Sequence, residues 1–138
     1  MSPPRAVRDV VLVDAARTPF GKAGATGLYA ETRADDLVVA VFRELLRRWS
    51  VHDDLWLRRA SILGQLGSGL ETDRGLLVEV IAPNADRPEF WLRKAIGWSL
   101  RSYAYTDPDW VVDYVTTHRD RLSPLSFREA TKHLTLAP

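Results

Sequence analysis

The strongest constraint on this chain is a repeat. Trp56-Leu57-Arg58-Arg59-Ala60 recurs 35 residues later as Trp91-Leu92-Arg93-Lys94-Ala95, and a further 35 residues on stands Ser126-Phe127-Arg128-Glu129-Ala130. Arg58, Arg93 and Arg128 are in register, and so are Ala60, Ala95 and Ala130. A period of this length with a small residue at a fixed site is what stacked helix pairs produce, because neighbouring units must approach closely there. The spacing therefore predicts a mainly α fold, a short α-solenoid of about three helix pairs. Each unit of such an array buries little, so three units stand near the minimum for stability.

Helix signals between the repeats fit that architecture. Thr32 with Asp35 reads as a capping box, and Leu37, Val38, Val41, Phe42 and Leu45 follow helical spacing up to Arg47-Arg48, giving a helix over about 35–48. Asp53-Asp54 opens a second helix with Trp56, Leu57, Ile62, Leu63 and Leu66, which Gly67-Ser68-Gly69 closes. A third runs over about 73–84 through Leu76, Leu77, Val80 and Ile81. A fourth starts at Pro88 and reaches Tyr103 with Leu92, Ile96 and Leu100 on its core side. Thr106 with Asp109 and Ser126 with Glu129 read as capping boxes for two more. The only strand candidate is Val10-Val11-Leu12-Val13-Asp14, with no second strand to pair with; it is expected to fray or to pair with a second copy.

Composition narrows the chemistry. The chain has 138 residues and a net charge of +1, so contact with a polyanion must be local rather than global. There is no Cys, which excludes disulfides, thiolate metal sites and a cysteine nucleophile. His52, His118 and His133 lack ligand spacing, so no metal and no cofactor is expected. Gly21-Lys22-Ala23-Gly24-Ala25-Thr26-Gly27 lacks the Gly-Lys-Ser/Thr ending of a triphosphate loop and reads as a turn. No apolar run is long enough to cross a bilayer and no signal peptide is evident, so a cytoplasmic protein is expected.

Two readings stay open for the repeated basic residues. Arg58, Arg93 and Arg128 either form a row of cations for a phosphate backbone or are solvated and paired with carboxylates across the stack. On the fourth helix Trp91, Lys94, Trp98 and Arg101 share one face at i, i+3, i+7 and i+10. Two indoles beside two cations can hold phosphates and exposed bases, or can pack between helices while the cations snorkel.

From about 53 to 134 the sequence resembles the DNA alkylation repair family, the HEAT-like-repeat alkylpurine DNA glycosylases. The resemblance rests on Leu55-Trp56-Leu57-Arg58-Arg59-Ala60-Ser61-Ile62-Leu63-Gly64-Gln65-Leu66, on Arg93-Lys94-Ala95-Ile96-Gly97-Trp98-Ser99-Leu100-Arg101, on Thr106-Asp107-Pro108, and on Leu122-Ser123-Pro124-Leu125-Ser126 with Arg128-Glu129-Ala130 and Lys132-His133. It implies hydrolytic excision of positively charged alkylated purines from duplex DNA. By the same resemblance Arg59 is the active-site arginine that meets the DNA backbone, and Trp98 is a lesion-facing tryptophan. The DNA-binding set it implies, with the repeat register, is Arg58, Arg59, Trp91, Arg93, Lys94, Trp98 and Arg101. The family's catalytic Asp lies upstream of the matched region, so the chain is expected to be inactive alone; Asp53 and Asp54 read as helix-start residues instead.

The opening is similar to another family. Val7-Arg8-Asp9-Val10-Val11-Leu12-Val13-Asp14-Ala15-Ala16-Arg17-Thr18-Pro19-Phe20-Gly21-Lys22, with Arg33-Ala34-Asp35-Asp36-Leu37, resembles the start of thiolases, the acetyl-CoA acetyltransferases. Thiolase chemistry needs cysteines that this chain lacks. The expected organisation is thus a thiolase-like segment over 1–48 and a HEAT-like array over 49–138. The expected partner is duplex DNA with alkylated or abasic nucleotides, with no membrane contact. The alternative is a non-catalytic interaction module that self-associates through an exposed array end or the N-terminal strand.

Overall fold

The computed structural model describes residues 12–22 and 24–135. Among these residues there are six α-helices and no strand: α1 Ala34–Ser50, α2 Leu55–Leu63, α3 Arg74–Ile81, α4 Phe90–Ala104, α5 Pro108–Thr117 and α6 Pro124–Ala130. The mainly α class expected from the repeat is what the chain adopts. Of the strand expected at 10–14, Val10 and Val11 lie outside the described residues. The described part, Leu12 to Asp14, is irregular, with Leu12 and Val13 exposed. A lone strand has no ladder partner for its N–H and C=O groups, so the run gains nothing from staying extended.

The chain divides after Val41 into two units. In the first, the described loop residues close a turn through the Gly27 amide, which donates to the Gly24 carbonyl, and the Tyr29 hydroxyl donates to the Pro19 carbonyl. Gly24 sits at φ +105°, a conformation side chains disfavour. Asp35 does not serve a capping box as expected: its carboxylate takes two hydrogen bonds from the Arg33 guanidinium. Val38, expected on a core face, is 68% exposed.

The second unit holds the core. Leu46 of α1 packs with Leu76 and Val80 of α3, and Trp49 covers them. Phe42, expected on the apolar face with Leu37, Val41 and Leu45, is exposed instead. Leu77 and Ile81, one step round α3, join Ile62, Leu92, Ile96, Leu100, Val111 and Val115 in the larger cluster. That division explains why α3 is apolar on two faces. Helix α4 is central, packing against α2, α5 and α6. Its Leu92, Ile96 and Leu100 are fully buried, as their i, i+4, i+8 spacing predicts.

Helix ends are fixed by side chains. The Asp54 carboxylate accepts from the Trp56 and Leu57 amides, so the expected helix-start role holds. Helix α2 stops at Leu63, before the expected glycines, and the Gln65 amide then pairs with both the Asp73 N–H and C=O. That clasp sets Asp73 to cap α3 through the Leu76 amide. Helix α4 begins two residues after Pro88 rather than on it. The two downstream capping boxes are corrected together. Asp107, not Thr106, caps α5 through the Trp110 amide, and Ser123, not Ser126, caps α6 through the Ser126 amide. In both helices Pro occupies the first turn, which makes the residue before it the cap. Ser126 is therefore inside α6, fully buried, and its hydroxyl donates to the Arg93 carbonyl of α4.

The 35-residue period reappears in the hydrogen bonds. Arg58 Nε donates to the His52 carbonyl and Arg93 Nε to the Arg87 carbonyl, the same six-residue step in consecutive repeats. The small-residue register is less uniform, since Ala95 and Ala130 are fully buried and Ala60 is exposed.

Candidate nucleic-acid interface

The outer face of α4 carries Trp91, Lys94, Trp98 and Arg101. Trp91 and Trp98 are 46% and 38% exposed, so they are not swallowed between helices. From α2, Trp56 approaches Trp91 with ring centroids 6.0 Å apart and planes tilted by 41°. Phe90 meets Trp91 edge to face at 5.0 Å. Arg59, one turn after Trp56, brings its guanidinium carbon to 6.0 Å from the Trp56 ring and 5.8 Å from the Trp91 ring. Two exposed indoles thus flank one cation, with Phe90 behind Trp91, a geometry in which ring quadrupoles favour positive charge.

Arg59 differs from its neighbours in what it is bonded to. Among the described residues it has no carboxylate partner, and its Nε is buried with no acceptor. Arg58, by contrast, is fully engaged: besides His52 it donates to the Ser50 carbonyl at 3.1 Å, the Val51 carbonyl at 3.0 Å and Asn84 Oδ1 at 3.1 Å. It closes the C-terminal end of α1, where free carbonyls and the helix dipole favour a cation. Asn84 completes that knot from a fully buried position, donating to the Ser50 and Val80 carbonyls. Arg93 does similar work on the loop before α4, and Arg128 is exposed.

Lys94 and Arg101 meet one carboxylate. Lys94 Nζ lies 2.7 Å from Glu129 Oε1, and Arg101 Nη1 lies 2.8 Å from Glu129 Oε2. Lys94 foremost, and Arg101 after it, hold the Glu129 carboxyl below its ordinary value. The site depends on Gly97: a Cβ there would stand 2.4 Å from Glu129 Cβ and 2.9 Å from the Ser126 carbonyl, so only glycine lets α6 come this close to α4.

Sequence reasoning brings Trp91, Lys94, Trp98 and Arg101 to one helix face, and the family resemblance adds Arg59 to the set without saying where it sits. It misses Trp56, Phe90 and Glu129. Trp56 was legible as the repeat partner of Trp91; Glu129 was read as a capping residue. Among the described residues no three or more His, Cys, Asp or Glu side chains group as metal ligands would, and no helix is long and apolar enough to cross a membrane.

A helical fold with this aromatic and basic face defines the class, and comparison supplies the family. The family model for DNA alkylation repair enzymes matches residues 28–134, and the chain belongs to that family. The match begins at residue 28, inside the 1–48 segment for which the sequence suggests a different, thiolase-like origin. A solved structure of a "Predicted DNA alkylation repair enzyme from Enterococcus faecalis" is 33% identical, superposes with a TM-score of 0.67, and covers 74% of this chain and 47% of its own. This chain therefore spans about half the length of that structure. A comparison with curated proteins finds no match.

Proposed function

We propose that this chain binds duplex DNA at alkylated or abasic positions, using Arg59, Trp91 and Trp98 on a HEAT-like array of helix pairs. The observation that carries the reading is Arg59: an arginine with no carboxylate partner among the described residues, set between two exposed indoles. Phosphates attract such a cation, and a positively charged alkylated purine is attracted by the faces of Trp rings. Trp56, absent from the sequence-based set, joins the group by its contact with Trp91. Arg58 and Arg93 serve the fold in this reading, since their donors are committed to carbonyls. Residues 1–48 are taken as the thiolase-like opening and 49–138 as the repeat array.

The proposal is binding without turnover. Excising a base builds positive charge on the sugar, which a nearby carboxylate must stabilise or supply with water. Two carboxylates bonded to the helices that carry the proposed group have other tasks: Asp54 caps α2, and Glu129 holds Lys94 and Arg101 of α4.

The test is fluorescence anisotropy of a short duplex carrying an abasic-site analogue, at two salt concentrations, beside Arg59→Ala. The expected result is salt-sensitive binding that Arg59→Ala weakens, with the salt slope reduced by about one. Absence of binding at low salt overturns the reading. A second reading, an interaction module that self-associates, is favoured by the exposed Leu12, Phe20, Leu28 and Val38 of the first unit. Salt-insensitive self-association without DNA binding would select it.

A further inference from the structure

We infer that Glu129 is a specificity-determining residue that withholds Lys94 and Arg101 from DNA phosphates, so that undamaged duplex is held weakly and Arg59 with the tryptophans decides which site is bound. The inference rests on the DNA-binding reading above. It starts from stoichiometry: two cations on one helix face each spend a short, charge-assisted hydrogen bond on a separate oxygen of the same carboxylate. The carboxylate offers these cations two anionic oxygens, the same chemistry that a phosphate would offer. A DNA phosphate that recruits either cation must break or share that bond.

The arrangement is built rather than incidental. The Glu129 side chain is only 13% exposed, and Arg101 is 21% exposed, so solvent screens this pair less than a surface bridge. Helix α6 is anchored over α4 by the Ser126 hydroxyl on the Arg93 carbonyl and by the glycine at 97, which together bring Glu129 down between residues 94 and 101. Its carboxyl, held below its ordinary value, stays ionised throughout the neutral range. Arg59 has no such counter-charge among the described residues. The face thus separates one free cation from two captive ones, and a chain of net charge +1 cannot compensate by general attraction.

Two substitutions separate capture from net charge. Glu129→Gln keeps the shape but removes the charge. Glu129→Asp keeps the charge but is one methylene shorter, so it cannot hold both cations. Wild type, both variants and Arg59→Ala are titrated into undamaged and abasic-analogue duplexes at two salt concentrations, with melting curves confirming that each is folded. For Glu129→Gln the expected result is an affinity gain of about tenfold on undamaged duplex, a salt slope steeper by about one to two, and a narrower ratio between damaged and undamaged DNA. Glu129→Asp is expected to gain less, in the same direction, and carries the test alone if the Gln variant does not fold. A gain confined to Gln would make the effect one of net charge and overturn the inference. Equal or weaker binding by both folded variants, with wild type binding and Arg59→Ala impaired, overturns this inference alone. If neither wild type nor the Glu129 variants bind at low salt, the DNA-binding reading falls and takes this one with it.

Discussion

Residues 12–41 and 42–135 both carry apolar residues at helical spacing and come to opposite ends. In the second unit Leu92, Ile96 and Leu100 repeat along one face of α4 and are fully buried, with helices available on several sides. In the first, Leu37, Val38 and Val41 follow similar spacing, yet Val38 stays open and none of the described residues of 12–41 is buried. Periodicity specifies a helix, whereas burial depends on how many other elements the same unit supplies. The second unit supplies them, because α2, α5 and α6 all pack against α4. A single strand-like run and half a helix do not.

The largest expected effect sharpens that contrast. Leu92→Ala in the core of α4 should cost about 2–5 kcal/mol in urea unfolding, since methylenes are lost and a cavity is left among rigid neighbours. Val38→Ala should stay within about 0.5 kcal/mol. A cost above about 1 kcal/mol for Val38→Ala would break the comparison, because an exposed side chain has no packing of that size to lose. The next effect concerns close approach. Gly97→Ala should destabilise by about 1–3 kcal/mol, since its methyl must push Glu129 and the Ser126 carbonyl away. It should also loosen the captive pair, so Lys94 should become more reactive toward amine-modifying reagents. Unchanged stability and reactivity would show that α6 yields freely.

How much was legible follows from which interactions are local. Four helices announce themselves by apolar spacing and α5 and α6 by capping patterns, and Asp54 is recognisable as a cap because its partners are two and three residues away. The caps of α5 and α6 were misplaced because Thr106 and Ser126 fit a local pattern, while a proline one residue past each true cap sets the start. Spacing also gathers Trp91 and Trp98 on one face. It says nothing of Glu129, which reaches Lys94 and Arg101 from 28 or more residues away on another helix. The repeated arginines are the instructive case. Their register is visible in the sequence, and it suggests either a phosphate row or carboxylate pairs; Arg58 and Arg93 instead hold backbone carbonyls. A repeat identifies positions that do the same job without identifying the job.

The smallest expected effect is one of pH, and it again sets the units against each other. Asp35 and Glu129 both have carboxyl groups held below their ordinary values, the first by Arg33 and the second by Lys94 and then Arg101. A carboxyl with a lowered value in the folded state adds stability that is fully present above its unfolded value. That stability is lost as pH falls through the folded value, because protons then bind both states alike. For Glu129 the unfolded reference is 4.5. The stability gap between wild type and Glu129→Gln should therefore be constant from pH 7 to about pH 5 and should shrink below that. Asp35 and Arg33 are both largely exposed neighbours two residues apart, where solvent screens the pair and local geometry persists in the unfolded chain. Asp35→Asn should therefore shift the urea midpoint by the same small amount at every pH. Urea midpoints at pH 7, 5, 4 and 3 for the three proteins decide the matter. A gap for Glu129→Gln that does not shrink in acid would mean that its carboxylate gains nothing from its two cations in the folded state. A pH-dependent gap for Asp35→Asn would mean that the first unit is more tightly coupled to folding than its exposure implies.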